Sequence, residues 1–353
     1  MNKKKLNYEN KKCKSCGSNL IFSPKHNALH CKNCGNLYNI ETDSNFEIHH
    51  FETVISNVDN HHEWAEQNKM LKCKDCGAEI ILDKYEYSST CSYCGSSVVS
   101  KLEELPGLKP DAIIPFKFDG HDAMLRFNEN IKKKWFIPNS FKKKVPTSDI
   151  TGTYIACFSF NANTTSAYSG VFAYDESYED FDGNTKTRTR YVTVSGLHTA
   201  DFKNILVESN QHITDSELNN IRPFNFEETK AFNQDFLKGY IVEHYNEDVN
   251  TCFDIAKAKM INQIKQSLLQ KHKCTRIEQI NLDIEYKNKS YSYYLLPVYL
   301  FIYKYKEKTY KTIMNGQNGK LGSNVPRSAT KITLLTLFLV LLFMLMFILP
   351  FIL

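Results

Sequence analysis

The sequence lacks several features that usually narrow a function quickly. Lys and Arg number 44 and Asp and Glu number 39, so a chain of 353 residues has a formal charge of only +5. Its basic start, MNKKKLNY, is not followed by an apolar run, so no signal peptide is predicted. The catalytic motifs G-x-G-x-x-G, G-x-S-x-G and H-E-x-x-H are absent. These absences argue against a generally basic DNA-coating protein and against an enzyme with a familiar site.

A phosphate-binding loop is also missing. The segment Gly316–Leu321 reads GQNGKL, which lacks the G-x4-G-K-[ST] spacing. Leu321 stands where that motif needs a magnesium-binding hydroxyl. The pairs Asn315-Gly316 and Asn318-Gly319 instead predict turns between strands. We therefore predict no enzymatic activity and no small-molecule substrate.

Cysteine is plentiful, with 11 residues. Because no export signal precedes them, these thiols are expected to stay reduced, and metal ligation is considered before disulfides. Eight of them form an internal repeat at an offset of 60, in which each half reads C-x2-C-x14-C-x2-C. The first quartet is Cys13, Cys16, Cys31 and Cys34, and the second is Cys73, Cys76, Cys91 and Cys94.

Each quartet predicts a zinc ribbon. Four thiolates close a tetrahedral site with no open position, which makes the metal structural, and the glycine after each second cysteine permits a tight turn. We predict two Zn²⁺ per chain, which brings the net charge to roughly +1 because each site carries about −2. The same spacing also suits an iron site of rubredoxin type. The remaining cysteines, Cys157, Cys252 and Cys274, are predicted to be buried and inert.

The chain divides into five parts. Residues 1–40 form zinc ribbon 1, residues 41–69 an acidic linker, and residues 70–100 zinc ribbon 2. Residues 105–320 form a mixed body, and residues 332–353 an apolar tail. The two histidine pairs of the linker are expected to be solvated. They are His49-His50 and His61-His62.

The body is predicted to be α+β with antiparallel sheet, because short aromatic strands alternate irregularly with helical stretches. A faint internal duplication relates Pro115-Phe116 to Pro223-Phe224. Helices are predicted over about 122–134 and 246–270. Strands are predicted over 153–160, 168–174, 295–303 and 309–314.

The tail predicts a membrane anchor. Residues 332–353 are 22 residues without a charge, which span about 33 Å as a helix and would cross a hydrocarbon core of about 30 Å. Lys320, Arg327 and Lys331 precede them, so the body is placed on the cytoplasmic side of the cell membrane, with one transmembrane helix.

Two basic regions each allow two interpretations. The first ribbon carries eight lysines and one acidic residue, Glu9. The lysines could contact nucleic acid. The preferred interpretation is that they offset the negative charge of the zinc site. The runs at 132–134 and 142–144 surround Trp135, Phe136 and Phe141. One interpretation is that these residues bind an anionic lipid surface. The preferred interpretation is that they form a solvated helix end followed by aromatic residues that dock in the core.

With these features in view, the chain resembles a bacterial family, the TFIIB-type zinc-ribbon membrane proteins. The resemblance is to the double-ribbon, tail-anchored kind encoded beside PspA-like and SPFH/virion-core proteins. It rests on both ribbons, Pro115–Phe118, Leu295–Tyr299 and Asn315–Gly322. Members often have Trp at the position of Tyr299 and Thr at that of Asn318. The resemblance implies a non-enzymatic adaptor that recruits an SPFH/virion-core-type partner, with a PspA-like protein as a further partner, to the membrane in envelope stress. The alternative is a membrane-tethered nucleic-acid binder.

Overall fold

A computed structural model of the chain describes residues 12–42, 45–51, 68–83, 89–91, 93–94, 96–98, 102–104, 108–143, 150–209, 212–306, 308–322 and 325–352. Of these residues 43% are in strands and 26% in helices. The described part of the chain is thus mostly β, and the prediction of an α+β body is wrong.

The elements follow in chain order. The strands are β1 (Leu20–Ser23), β2 (Ala28–Cys31), β3 (Leu37–Asn39), β4 (His49–His50), β5 (Asn68–Lys72), β6 (Glu79–Asp83), β7 (Ser89–Thr90), β8 (Ser97–Val98), β9 (Leu102–Glu104), β10 (Ala112–Ile113), β11 (Ile150–Glu179), β12 (Thr185–Glu208), β13 (Lys230–Ala231), β14 (Ile241–Glu243), β15 (Arg276–Tyr305) and β16 (Lys308–Asn315). The helices are α1 (Gly120–Lys133), α2 (Asn139–Lys143), α3 (Asp215–Ile221), α4 (Val249–His272) and α5 (Ala329–Ile352).

Three very long strands explain the excess of sheet. β11 and β15 have 30 residues each and β12 has 24, so β11 has a contour of roughly 100 Å at about 3.3 Å per residue. The sequence predicts two strands here, 153–160 and 168–174, with a break between them. Instead β11 continues, and between 160 and 168 it pairs with β12 on one side and with β15 on the other. Cross-strand partners satisfy its backbone, so weak local propensity does not end the strand.

A tight turn closes the β11–β12 hairpin. The carboxylate of Asp180 accepts hydrogen bonds from the backbone N–H groups of Asp182 and Asn184, at 3.0 and 2.9 Å. Gly183 has φ of +79°, a conformation that favours glycine. The turn therefore sets the register of the long hairpin.

The long strands lie within an eleven-stranded sheet, counted over the described residues. Helices α1 and α4 pack on one face: Phe127 of α1 stacks on Phe301 with ring centroids 4.3 Å apart, and Met260 of α4 is fully buried. On the other face, Leu218 and Ile221 of α3 join a second apolar cluster. The inner half of β11 is therefore buried on both sides.

The first ribbon, β1 to β3, forms a separate small sheet that docks on the body. Phe22 of β1 is buried against Phe236, with ring centroids 5.1 Å apart. The backbone N–H of Phe22 also donates to the carbonyl of Lys238 at 2.9 Å. This contact anchors the ribbon to the body.

The second ribbon is part of the main sheet. Strand β6 pairs with β14, with Val242 opposite Ile81, and β14 pairs in parallel with β11. Its apolar residues Leu71, Ala78 and Ile80 form a buried cluster with the metal-site cysteines. The second ribbon and the body thus share one continuous sheet.

The C-terminal segment forms a helix, α5. Over the described residues, no helix is both long enough and apolar enough to cross a membrane. The prediction of a transmembrane helix at 332–353, and with it the assignment to the cell membrane, is wrong.

The aromatic residues after α1 divide between core and surface. Phe141 is buried, whereas Trp135 is 52% exposed and Phe136 41% exposed. The prediction that these aromatic residues dock in the core is therefore confirmed for Phe141 and wrong for Trp135 and Phe136.

Candidate metal centres

The first cysteine quartet converges on one point. All four sulfur atoms of Cys13, Cys16, Cys31 and Cys34 lie within 4.8 Å of one another. Cys13 Sγ is 3.3 Å from Cys34 Sγ, and Cys16 Sγ is 3.4 Å from Cys31 Sγ. A disulfide needs about 2.05 Å, so these are four free thiols arranged around a shared centre.

The second quartet has the same arrangement. The sulfur atoms of Cys73, Cys76, Cys91 and Cys94 also lie within 4.8 Å of one another. The distance from Cys73 Sγ to Cys94 Sγ is 3.6 Å, and that from Cys76 Sγ to Cys91 Sγ is 3.5 Å. Four sulfurs bound to one ion at about 2.3 Å lie roughly 3.8 Å apart, so each quartet can hold one metal ion.

The same backbone turn builds three of the four knuckles. Gly17, Gly35 and Gly77 have φ of +71°, +79° and +78°, and the N–H of each donates to the carbonyl of the cysteine four residues earlier at 2.8 to 2.9 Å. The predicted left-handed turn is confirmed at these glycines. Gly95 lies outside the described residues.

One buried cysteine in each ribbon is prepared for ionisation. The Tyr38 hydroxyl, 3.4 Å from Cys13 Sγ, and the N–H groups of Ser15 and Cys16 lower the pKa of Cys13 to about 5. Burial opposes ionisation of Cys73, but hydrogen bonds from the Ser96 hydroxyl and the backbone lower its pKa to about 6. Because metal binds the thiolate, these hydrogen bonds favour the ligand form.

The arrangement is closed chemically. Every donor is a cysteine sulfur, and a tetrahedral ion that uses all four has no position left for water or substrate. The three remaining cysteines stand apart: Cys157 and Cys252 are buried and Cys274 is half-buried, and burial raises the pKa of each. The two quartets can therefore hold structural ions.

The second knuckle of ribbon 2 reaches into the body. Tyr93, between Cys91 and Cys94, donates a 2.6 Å hydrogen bond from its hydroxyl to Oε1 of Glu243. Glu243 is completely buried on β14, and burial raises its pKa to about 8. A buried carboxylate needs this partner, since an unmade hydrogen bond there costs about 1–3 kcal/mol. The metal-binding loop and the sheet thus support each other.

One ion pair in the linker has no signal in the sequence. His49 is not solvated: its Nε2 lies 2.8 Å from Oδ1 of Asp111, and its ring stacks on Tyr291 with centroids 5.1 Å apart. Asp111 also accepts from the backbone N–H of Tyr293 at 2.7 Å. The pair fastens β4 to β15, so the prediction for this histidine is wrong. His61 and His62 lie outside the described residues.

This pair predicts a pH-dependent stability. The hydrogen bond to Asp111, with the charge of Glu47, raises the pKa of His49, and burial raises the pKa of Asp111. The folded state therefore holds more protons than the unfolded state. Its extra stability is present below pH about 6.5 and is lost as pH rises through the folded pKa of His49.

We expect His49→Gln to flatten this pH dependence and to cost about 1 kcal/mol at pH 6. The measurement is urea unfolding between pH 6 and 8.5, with His50→Gln as the control, because His50 is exposed. Parallel stability curves for wild type and His49→Gln would contradict the assignment.

Comparisons with known proteins find a similar chain but no matching family or solved structure. No protein-family profile matches the chain, and no solved structure matches it. The chain is similar to the uncharacterized protein YdjG of Bacillus subtilis (strain 168), with 29% identity over 323 residues that cover 91% of each chain. The described part of the chain is a mostly β protein with two four-cysteine clusters, each of which can hold a metal ion.

Proposed function

We propose that the chain is a non-enzymatic adaptor in which two zinc ribbons of TFIIB type bind a protein partner. The observation that supports this is the pair of closed four-sulfur centres, of which the first lies in a small sheet docked on the body and the second is continuous with the main sheet. Closed centres supply no chemistry, so their use is to hold a surface rigid. Zinc is preferred to iron because a structural role needs no redox change.

The first ribbon offers the better surface. Its knuckle residues Lys14 and Lys32 are exposed beside the metal-site cysteines. Leu37, which follows the second knuckle, is 47% exposed. A partner that fits this surface would have an apolar pocket for the leucine and acidic residues around it for the lysines. The resemblance to ribbon proteins encoded beside SPFH/virion-core proteins names the first partner to test.

A matched pair of substitutions tests this surface. We expect Leu37→Asp to weaken binding of the SPFH-type protein at least tenfold, because it places a charge in the contact. Leu125→Asp is the control, since Leu125 is 49% exposed on α1 and lies outside the ribbons. The measurement is titration calorimetry with full-length protein that holds two metal ions. Equal affinities for the two variants would show that the first ribbon does not contact the partner. The same titration can be made with a PspA-like protein.

Nucleic-acid binding is the second candidate, supported by the exposed lysines of the first ribbon. Its mark is a steep loss of affinity as salt rises, since phosphate contacts release counterions. Salt-dependent binding of duplex DNA or RNA, lost in Lys14→Glu, together with no binding of the partner proteins, would favour this candidate over the adaptor.

A further inference from the structure

A cavity of about 500 Å³ lies at the end of the body from which α5 starts. It opens between the first residues of α2, the tip of the β15–β16 hairpin and the segment that leads into α5. Small-molecule sites typically have 300–1,000 Å³, so this volume suits a small ligand. The cavity is far in sequence from both cysteine quartets and belongs to neither metal centre.

The lining is strongly positive. Four cations contribute to it, Lys306, Lys308, Arg327 and Lys331, and the described lining contains no carboxylate. Glu307, which stands between Lys306 and Lys308 in the sequence, lies outside the described residues. Within the described chain, none of the four cations forms an ion pair with a carboxylate. We call this feature the basic cavity.

The cations of the β11–β12 hairpin offer a contrast, because they are paired. Lys186 lies 2.8 Å from Asp180, and Arg188 lies 3.1 Å from Glu176. Four cations without a described acidic partner leave a positive potential in a concave site, where surrounding protein focuses it.

The wall of the basic cavity is preorganised. The ammonium group of Lys331 donates to the carbonyls of Trp135 and Ile137 at 2.9 and 3.0 Å and to Oδ1 of Asn139 at 2.8 Å. These acceptors are neutral, so they fix the side chain without cancelling its charge. Arg327 is held close enough to Lys134 to help burial lower the pKa of Lys134.

Hydroxyl groups complete the lining. Ser140 Oγ and Tyr305 Oη are 2.8 Å apart, and Ser328 Oγ and Thr330 Oγ1 are 2.9 Å apart. Hydroxyl and ammonium groups both donate hydrogen bonds to phosphate oxygens. A simple carboxylate ligand would use fewer of them, because it has two oxygens where a phosphate group has three or four.

We propose that the basic cavity binds the phosphate group of a small soluble molecule, such as a phosphomonoester or a diphosphate. The ligand would sit between the hairpin tip and the start of α5 and would neutralise Lys306, Lys308 and Arg327. This is a binding site, with no chemical step, and it is independent of the adaptor role of the ribbons.

The test is titration calorimetry of the full-length, metal-loaded protein with pyrophosphate as the probe. We expect saturable binding at one site per chain, weakened at least tenfold in Arg327→Glu. The control is Lys203→Glu, which makes the same charge change on β12, where the side chain of residue 203 is 75% exposed, and we expect it to bind within twofold of wild type. Lys331 is left unchanged, because its hydrogen bonds hold the wall together.

Three results would overturn the proposal. The first is no saturable binding of millimolar pyrophosphate by wild type, and the second is equal weakening by Arg327→Glu and Lys203→Glu. The third is binding to phosphatidylglycerol vesicles without binding to pyrophosphate, which would assign the cavity to a lipid headgroup. Thermal unfolding of both variants checks that each is folded. If Arg327→Glu fails to fold, Lys308→Glu on the exposed hairpin replaces it.

Discussion

Changing Cys73 to serine is expected to release one metal ion and to destabilise far more than the second ribbon. Wild type should carry two zinc ions per chain and the variant one, because three thiolates no longer close the site. Metal supplies about 10–16 kcal/mol of folding free energy to comparable small sites. Losing it should unfold β5 and β6.

The damage should spread because β6 pairs with β14 and Tyr93 donates a hydrogen bond to Oε1 of the buried Glu243. Unfolding of the ribbon exposes the edge of β14 and leaves Glu243 without this hydrogen bond. We expect the free energy of unfolding of the body to fall by about 3 kcal/mol, in line with the cost of orphaned buried polar groups. Amide exchange in Ile241–Glu243 should accelerate strongly.

Two comparisons make this result specific. Cys13→Ser should also lose one ion, yet it should leave exchange in β14 near the wild-type rate, because the first ribbon adds no strand to the main sheet. Cys274→Ser should keep both ions, since this half-buried thiol lies outside the quartets. Normal protection of β14 in a Cys73→Ser protein that has lost its ion would show that the ribbon folds independently of the sheet. Iron in freshly purified protein would refute the zinc assignment.

Changing Gly170 to alanine is expected to cost about 2–3 kcal/mol of stability, in the range of overpacked sites. A Cβ atom at this position would lie 2.2 Å from the backbone oxygen of Gln279 and 3.0 Å from Cα of Ile280. Both atoms belong to the main chain of β15, so no side-chain rotation relieves the clash. The two long strands would have to separate locally.

Gly120→Ala is the matched control. An added Cβ at Gly120, the first residue of α1, meets no atom within 4 Å, so stability should stay the same or rise by about 0.5 kcal/mol. The measurement is urea unfolding of both variants at one pH. Equal stability of the two would show that β11 does not approach β15 at residue 170, and the continuous long strand would then be wrong.

The sequence by itself determined the metal centres. Two cysteines separated by two residues fold into a knuckle through local geometry, and the glycine that follows supplies the left-handed turn. Four such knuckles at matched spacing therefore predict two quartets, and the structure brings the sulfur atoms of each quartet together. Helices α1 and α4 were also predictable, since α1 places Ala123, Phe127 and Ile131 on one buried face at helical spacing.

Tertiary structure alone decided the rest, because the partners are far apart in sequence. The polar middle of β11 forms a strand because β12 pairs with it on one side and β15 on the other. His49 forms an ion pair only because the fold brings Asp111, which is 62 residues later in the sequence, next to it. The union of the second ribbon with the sheet depends on Tyr93 meeting Glu243, which is 150 residues later. Spacing fixes contacts that close within one turn, whereas contacts between distant residues depend on how the whole sheet assembles.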